Sequence, residues 1–142
     1  MPDTKNTAAF FKVQETAEVV MLAPETTLEK AHLIMEKALG RPINFIKFYS
    51  SHLGFSWERI RERFLKACQG AKVVILNDWI QADGLEESYQ LAEKIANEVK
   101  VVNPRAKIFA FPMGGAWPAK VHAIAGIIFS FSDPALINAL QA

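Results

Sequence analysis

The sequence predicts a three-layer α/β/α sandwich built on one open, five-stranded parallel sheet. Three observations lead there. Short apolar runs alternate five times with amphipathic stretches of helical period. Several of these runs are apolar throughout, as in strands covered on both faces. The chain has 142 residues, of which 51% are apolar; that is enough for one domain and far too few for a closed barrel of eight such units.

Residues 1–16 are mixed and polar around Phe10 and Phe11 and read as an N-terminal arm, leaving 17–142 as a single domain. Glu18 to Ala23 reads as a buried strand that Pro24 stops. Thr26 and Glu29 stand at capping-box spacing, and Leu28, Ala31, Met35, Ala38 and Leu39 follow as a helix stripe closed by Gly40. Ile43 to Tyr49, after Pro42, is the second strand, and Ser50 to Gly54 is a loop. Ser56 suits the cap of a helix carrying Trp57, Ile60, Phe64, Ala67 and Cys68 on one face.

Lys72 to Leu76 is the strongest strand, and the stretch after Asp83-Gly84 is a long helix with Leu85, Ser88, Leu91, Ala92, Ile95 and Val99 in one stripe, ended by Asn103-Pro104. Lys107 to Phe111 is the fourth strand. A shorter helix is expected from Pro118 toward Ala125, with Gly126 ending it, and then a fifth strand from Ile127 to Phe131. Asp133-Pro134 forms the cap and first turn of a terminal helix carrying Leu136, Ile137 and Leu140. Helical crossovers make consecutive strands parallel, and the expected order is 2-1-3-4-5, the flavodoxin-like arrangement.

Sixteen basic and fifteen acidic side chains nearly cancel, so no global field draws in nucleic acid or an anionic membrane. No apolar run approaches the ~20 residues that cross a bilayer, and the leading Met-Pro-Asp-Thr-Lys-Asn lacks the order of a signal peptide, which suggests a cytoplasmic chain. The single Cys68 falls on an apolar face and reads as core packing. His32, His52 and His122 lie far apart with no metal-ligand spacing, so neither a metal nor a cofactor is expected; His52 alone is a loop residue able to exchange protons.

In an open parallel sheet, ligands gather beyond the carboxyl ends of the strands. Asn77 and Asp78 stand there after the third strand, and Asp78 is either a functional carboxylate or a solvated loop acid. Gly114-Gly115 before a helix is either an approach for an anion to backbone N–H groups or simply a tight turn, and no full phosphate-binding motif is present. Trp79 and Trp117 flank the same crevice and can stack on a flat ligand, meet a partner or cover the core. On the second helix Arg59, Arg63 and Lys66 form a basic stripe beside Glu58 and Glu62, either a solvated, salt-bridged face or a docking face for an acidic partner. No nucleophile elbow or pairable serine supports hydrolysis.

Val73-Val74-Ile75-Leu76-Asn77-Asp78 followed by Asp83-Gly84-Leu85-Glu86 resembles the phosphoacceptor strand and following loop of response-regulator receiver domains. Asn103-Pro104 to Phe111, and Gly126 to Leu140, look like that family's last two strand and helix units, and as an order of elements the resemblance covers about residues 18–141. It implies a CheY-like fold and a phosphoryl site made of an acidic pair after strand 1, an aspartate after strand 3, a Ser or Thr after strand 4 and a lysine after strand 5. Here the corresponding stretches are Leu22-Ala23-Pro24, Asp78, Phe111-Pro112 and Ser130-Phe131-Ser132. Only the aspartate is kept. The implied protein is therefore a pseudo-receiver, a regulatory or interaction domain that works without phosphorylation, either self-associating as a homodimer through its last helices or docking through the second helix.

Lys107-Ile108-Phe109-Ala110-Phe111 with Gly114-Gly115-Ala116 also looks like the last third of cobalamin-binding domains, although that family's Asp-x-His-x-x-Gly after strand 1 is missing. Two further readings therefore stay open. One is a small-ligand, nucleotide or cofactor-binding domain using Asn77, Asp78, Trp79, Gly114, Gly115 and Trp117. The other is an enzyme with Asp78 as acid or base and no recognisable partner residue.

Overall fold

The computed structural model describes residues 17–50, 55–77, 80, 85–112, 119–122 and 124–141. The N-terminal arm, the loop 51–54 with His52, and the Asp83-Gly84 step lie outside these residues. The strands are β1 (Val19–Ala23), β2 (Phe45–Tyr49), β3 (Val73–Asn77), β4 (Lys107–Phe111) and β5 (Gly126–Ile127). The helices are α1 (Glu25–Leu39), α2 (Trp57–Cys68), α3 (Leu85–Val102), α4 (Ala119–His122) and α5 (Pro134–Gln141). All pairings are parallel, in the order β2-β1-β3-β4-β5, as expected.

Successive side chains of a strand point to opposite faces, and here each face meets helices. Val20, Leu22, Val74, Leu76 and Ile108 pack with Trp57 and Phe64 of α2 and with Ile95 and Val99 of α3. Val19, Met21, Val73, Ile75 and Phe109 pack with Leu28 and Met35 of α1 and with Leu136 and Leu140 of α5. All five residues of β1 and of β3 are buried, which is why no polar residue alternates within Val19 to Ala23. Each such aliphatic side chain contributes roughly 1.5–3 kcal/mol by leaving water. No helix among the described residues is long and apolar enough to cross a membrane.

Several boundaries differ from expectation, each for a local reason. Pro24, at φ −59° and ψ 152°, takes the cap position of α1, and its carbonyl accepts the Leu28 N–H at 3.0 Å. Thr26 therefore falls inside the first turn, and the capping box with Glu29 does not form. Ala38 turns to solvent, while Leu28, Ala31 and Met35 carry the buried stripe. Gly40 closes the helix in the left-handed region at φ +72°, where a side chain would be strained. Ser56 caps α2 by backbone conformation only, without a hydroxyl bond.

Strand β2 starts at Phe45, two residues late, because side chains claim the preceding amides. Glu36 accepts from the Ile43 N–H at 2.8 Å and Glu18 from the Asn44 N–H at 3.3 Å. The last strand departs further. Gly126 was expected to end a helix, but it is the first residue of β5, where a Cβ would lie 3.2 Å from the Phe109 ring. The strand then stops at Ile127 instead of Phe131. Ser130 Oγ accepts the Ser132 N–H at 3.1 Å and bends the chain out of the sheet, a local bond that competes with strand pairing. Phe129 is left 77% exposed, and Phe131 returns to stack on Phe111 at 4.3 Å between centroids. Asp133 Oδ1 accepts the Ala135 N–H at 2.9 Å, the side-chain cap anticipated for the terminal helix.

Candidate functional site

The carboxyl edge of the sheet is where this topology places ligands, and its described part is largely tied to itself. Asn77, fully buried as the last residue of β3, donates its Nδ2 to the Phe111 carbonyl at 3.1 Å and joins the ends of β3 and β4. The Ala23 carbonyl accepts the Ser50 N–H at 3.0 Å, closing the end of β1 against the chain leaving β2. Phe131 covers Phe111 beside them. Asp78, Trp79, Gly114, Gly115 and Trp117, the other crevice residues singled out in the sequence, lie outside the described residues.

The basic stripe of α2 is described in full. Three contacts orient this helix against α3. Glu98 accepts from the Trp57 indole Nε1 at 3.1 Å and from the Arg61 Nε, while Glu58 stands 3.9 Å from the Lys94 ammonium. Trp57, Phe64, Ala67 and Cys68 face inward. The same rotation turns Arg59, Arg63 and Lys66 to solvent, in a row at intervals of four and three. Arg61 and Glu58 are thus committed to α3, and among the described residues none of the three outward cations has an ion-pair partner.

The remaining reactive groups are structural. Burial pushes the Cys68 thiol up to about 12, so the nucleophilic thiolate does not form near neutral pH. His32 Nε2 lies 2.9 Å from the Glu36 carboxylate, and its ring stacks on Phe45 at 4.8 Å. The Glu36 carboxyl is held below its usual range, first by the Ile43 N–H and then by His32. Among the described residues no group of His, Cys, Asp and Glu could hold a metal ion.

The opposite, amino edge of the sheet holds residues that sequence reasoning missed. A groove of about 370 Å³ is lined by Gln69, Gly70, Lys72, Asn103, Arg105 and Lys107, with Ala71 and Ala139 as apolar walls. A second groove, of about 330 Å³, shares Arg105 and Lys107 and adds Lys100 and His122. The bend between α3 and β4 is held by Asn103, whose Nδ2 donates to the Cys68 carbonyl at 2.8 Å and the Ala71 carbonyl at 3.0 Å. Asn103 Oδ1 accepts the Arg105 N–H at 3.2 Å. The available signal was the cations at the starts of two strands, Lys72 immediately before β3, Arg105 two residues before β4 and Lys107 as its first residue; only the topology shows that these lie side by side.

The strand order and the helices on both faces define a flavodoxin-like α/β domain. No family model matches the chain, and no curated protein or solved structure matches it either.

Proposed function

We propose that this chain is a non-catalytic, receiver-like interaction domain that regulates by protein contact, independently of phosphorylation, with α2 as its docking face. The observation that carries this reading is the outward row Arg59, Arg63 and Lys66, three cations without an ion-pair partner among the described residues, on a helix whose Glu58 and Arg61 are engaged by α3. The phosphoryl chemistry of a receiver has little to work with: Leu22-Ala23-Pro24 supplies no acidic pair for a hard cation, Phe111-Pro112 no hydroxyl and Ser130-Phe131-Ser132 no lysine. Self-association through the last helices would cover Phe129, which stands 77% exposed beside α5.

Native mass spectrometry of the purified chain tests the reading. The expected spectrum carries no small molecule and does not change with acetyl phosphate and Mg²⁺. A phosphoryl adduct abolished by Asp78→Asn would overturn phosphorylation independence. A stoichiometric small molecule would favour the alternative of a ligand or cofactor bound in the crevice at the carboxyl edge. Asp78→Asn is also expected to leave partner binding unchanged; loss of binding in a folded variant would count against the proposal.

A further inference from the structure

We infer that the α2 stripe and the two grooves at the amino edge form one continuous cationic track for an acidic, partly apolar polypeptide segment of a partner protein. The inference rests on the reading of α2 as a docking face and extends it to the partner's chemistry. The track follows from helix geometry. Arg59, Arg63 and Lys66 occupy steps of four and three, and the next step of four on the same face falls on Gly70, which lines the first groove. From Arg59 to Gly70 this is roughly 16 Å of rise if the helical pitch is carried through. Lys72 continues the line. Arg105 and Lys107 belong to both grooves, and Lys100 and His122 complete the second.

No Asp or Glu is among the described residues lining either groove. Glu18 is engaged by Arg41 through both carboxylate oxygens, at 2.8 and 3.0 Å, and has only a weaker electrostatic influence from Lys72, while on α2 the exposed Glu62 stands beside the three cations of the stripe. Asn103 is occupied with backbone groups and holds the floor between the two grooves in place.

The walls decide what kind of polyanion fits. Ala71 and Ala139 lie among the cations of the first groove, and Ile108, Ile124 and Ala125 among those of the second. A polypeptide with acidic and small apolar side chains satisfies both kinds of surface. A nucleic acid satisfies only the cations, and neither groove has a described Phe, Tyr or Trp in its lining on which a base could stack.

The test is fluorescence anisotropy of the full chain with a labelled peptide of alternating glutamate and leucine, against a single-stranded oligothymidylate of equal charge. The expected result is peptide binding that weakens with salt and exceeds oligothymidylate binding. Lys72→Glu/Arg105→Glu/Lys107→Glu and, separately, Arg59→Glu/Arg63→Glu should each weaken it by about tenfold. The charge-neutral Lys72→Gln/Arg105→Gln/Lys107→Gln set repeats the groove result if the reversed set fails to fold. If only the α2 reversal weakens binding, the grooves are not part of the track while docking through α2 stands. If only the groove reversal does, the track is not continuous and α2 is not the docking face. Unchanged affinity in both, no peptide binding, or tighter binding of the oligothymidylate overturns the inference.

Discussion

Glu18, beside the first residue of β1, receives the Arg41 guanidinium on both carboxylate oxygens and the Asn44 N–H on one. The Arg41 hydrogen bond is the largest reason that its carboxyl is held below the ordinary value of 4.5, outweighing the opposing effect of burial. A carboxyl whose pKa falls on folding adds stability that is present above its unfolded pKa and lost as the pH falls through the lower folded value. Glu18→Gln should therefore lower the melting temperature near pH ~7, and the difference from wild type should shrink toward pH ~3. Melting curves across that range check it; a constant difference would assign the effect to packing. Glu18 was visible in the sequence only as the polar residue before a strand. Its partners Arg41 and Asn44 lie more than twenty positions away, and no local pattern pairs them.

Local signals were readable wherever chemistry and conformation act within a few residues. Asp133-Pro134 is the clear case, because an acceptor followed by a fixed φ suits a helix start whatever surrounds it. Asp133→Ala should cost about 1 kcal/mol, measurable by urea denaturation. An unchanged midpoint would mean that α5 is held by Leu136 and Leu140 alone. The fifth strand shows the limit. Ile127-Ile128-Phe129-Ser130-Phe131 reads as one strand, and what ends it early is a serine hydroxyl that accepts the amide two residues on, at 3.1 Å. Phe131 is consequently a core residue, 5% exposed and stacked on Phe111. Phe131→Ala should destabilise the fold by about 3 kcal/mol by urea denaturation, whereas Phe129→Ala, at a 77% exposed site, should cost little.

At the scale of the molecule, strand order was legible because it follows from the alternation of elements, the crossover rule and the size of the chain. The candidate site was legible only in part. The α2 stripe is written in a helical period, whereas the amino-edge grooves are assembled from Gly70, Lys72, Arg105 and Lys107, which the parallel pairing of β3 with β4 brings together across more than thirty residues. The same sheet has two unequal borders. The β5 side presents two paired residues, too few to template an incoming strand; the β2 side presents five, Phe45-Ile46-Lys47-Phe48-Tyr49, aromatic and β-prone apart from one lysine. Lys47, held 3.2 Å from the Glu29 carboxylate, is then a gatekeeper against amyloid-like stacking of one molecule on the next. Lys47→Val should shorten the lag time of thioflavin-positive aggregation on warming, and an unaltered lag would show that the Glu29 side of this border guards it unaided.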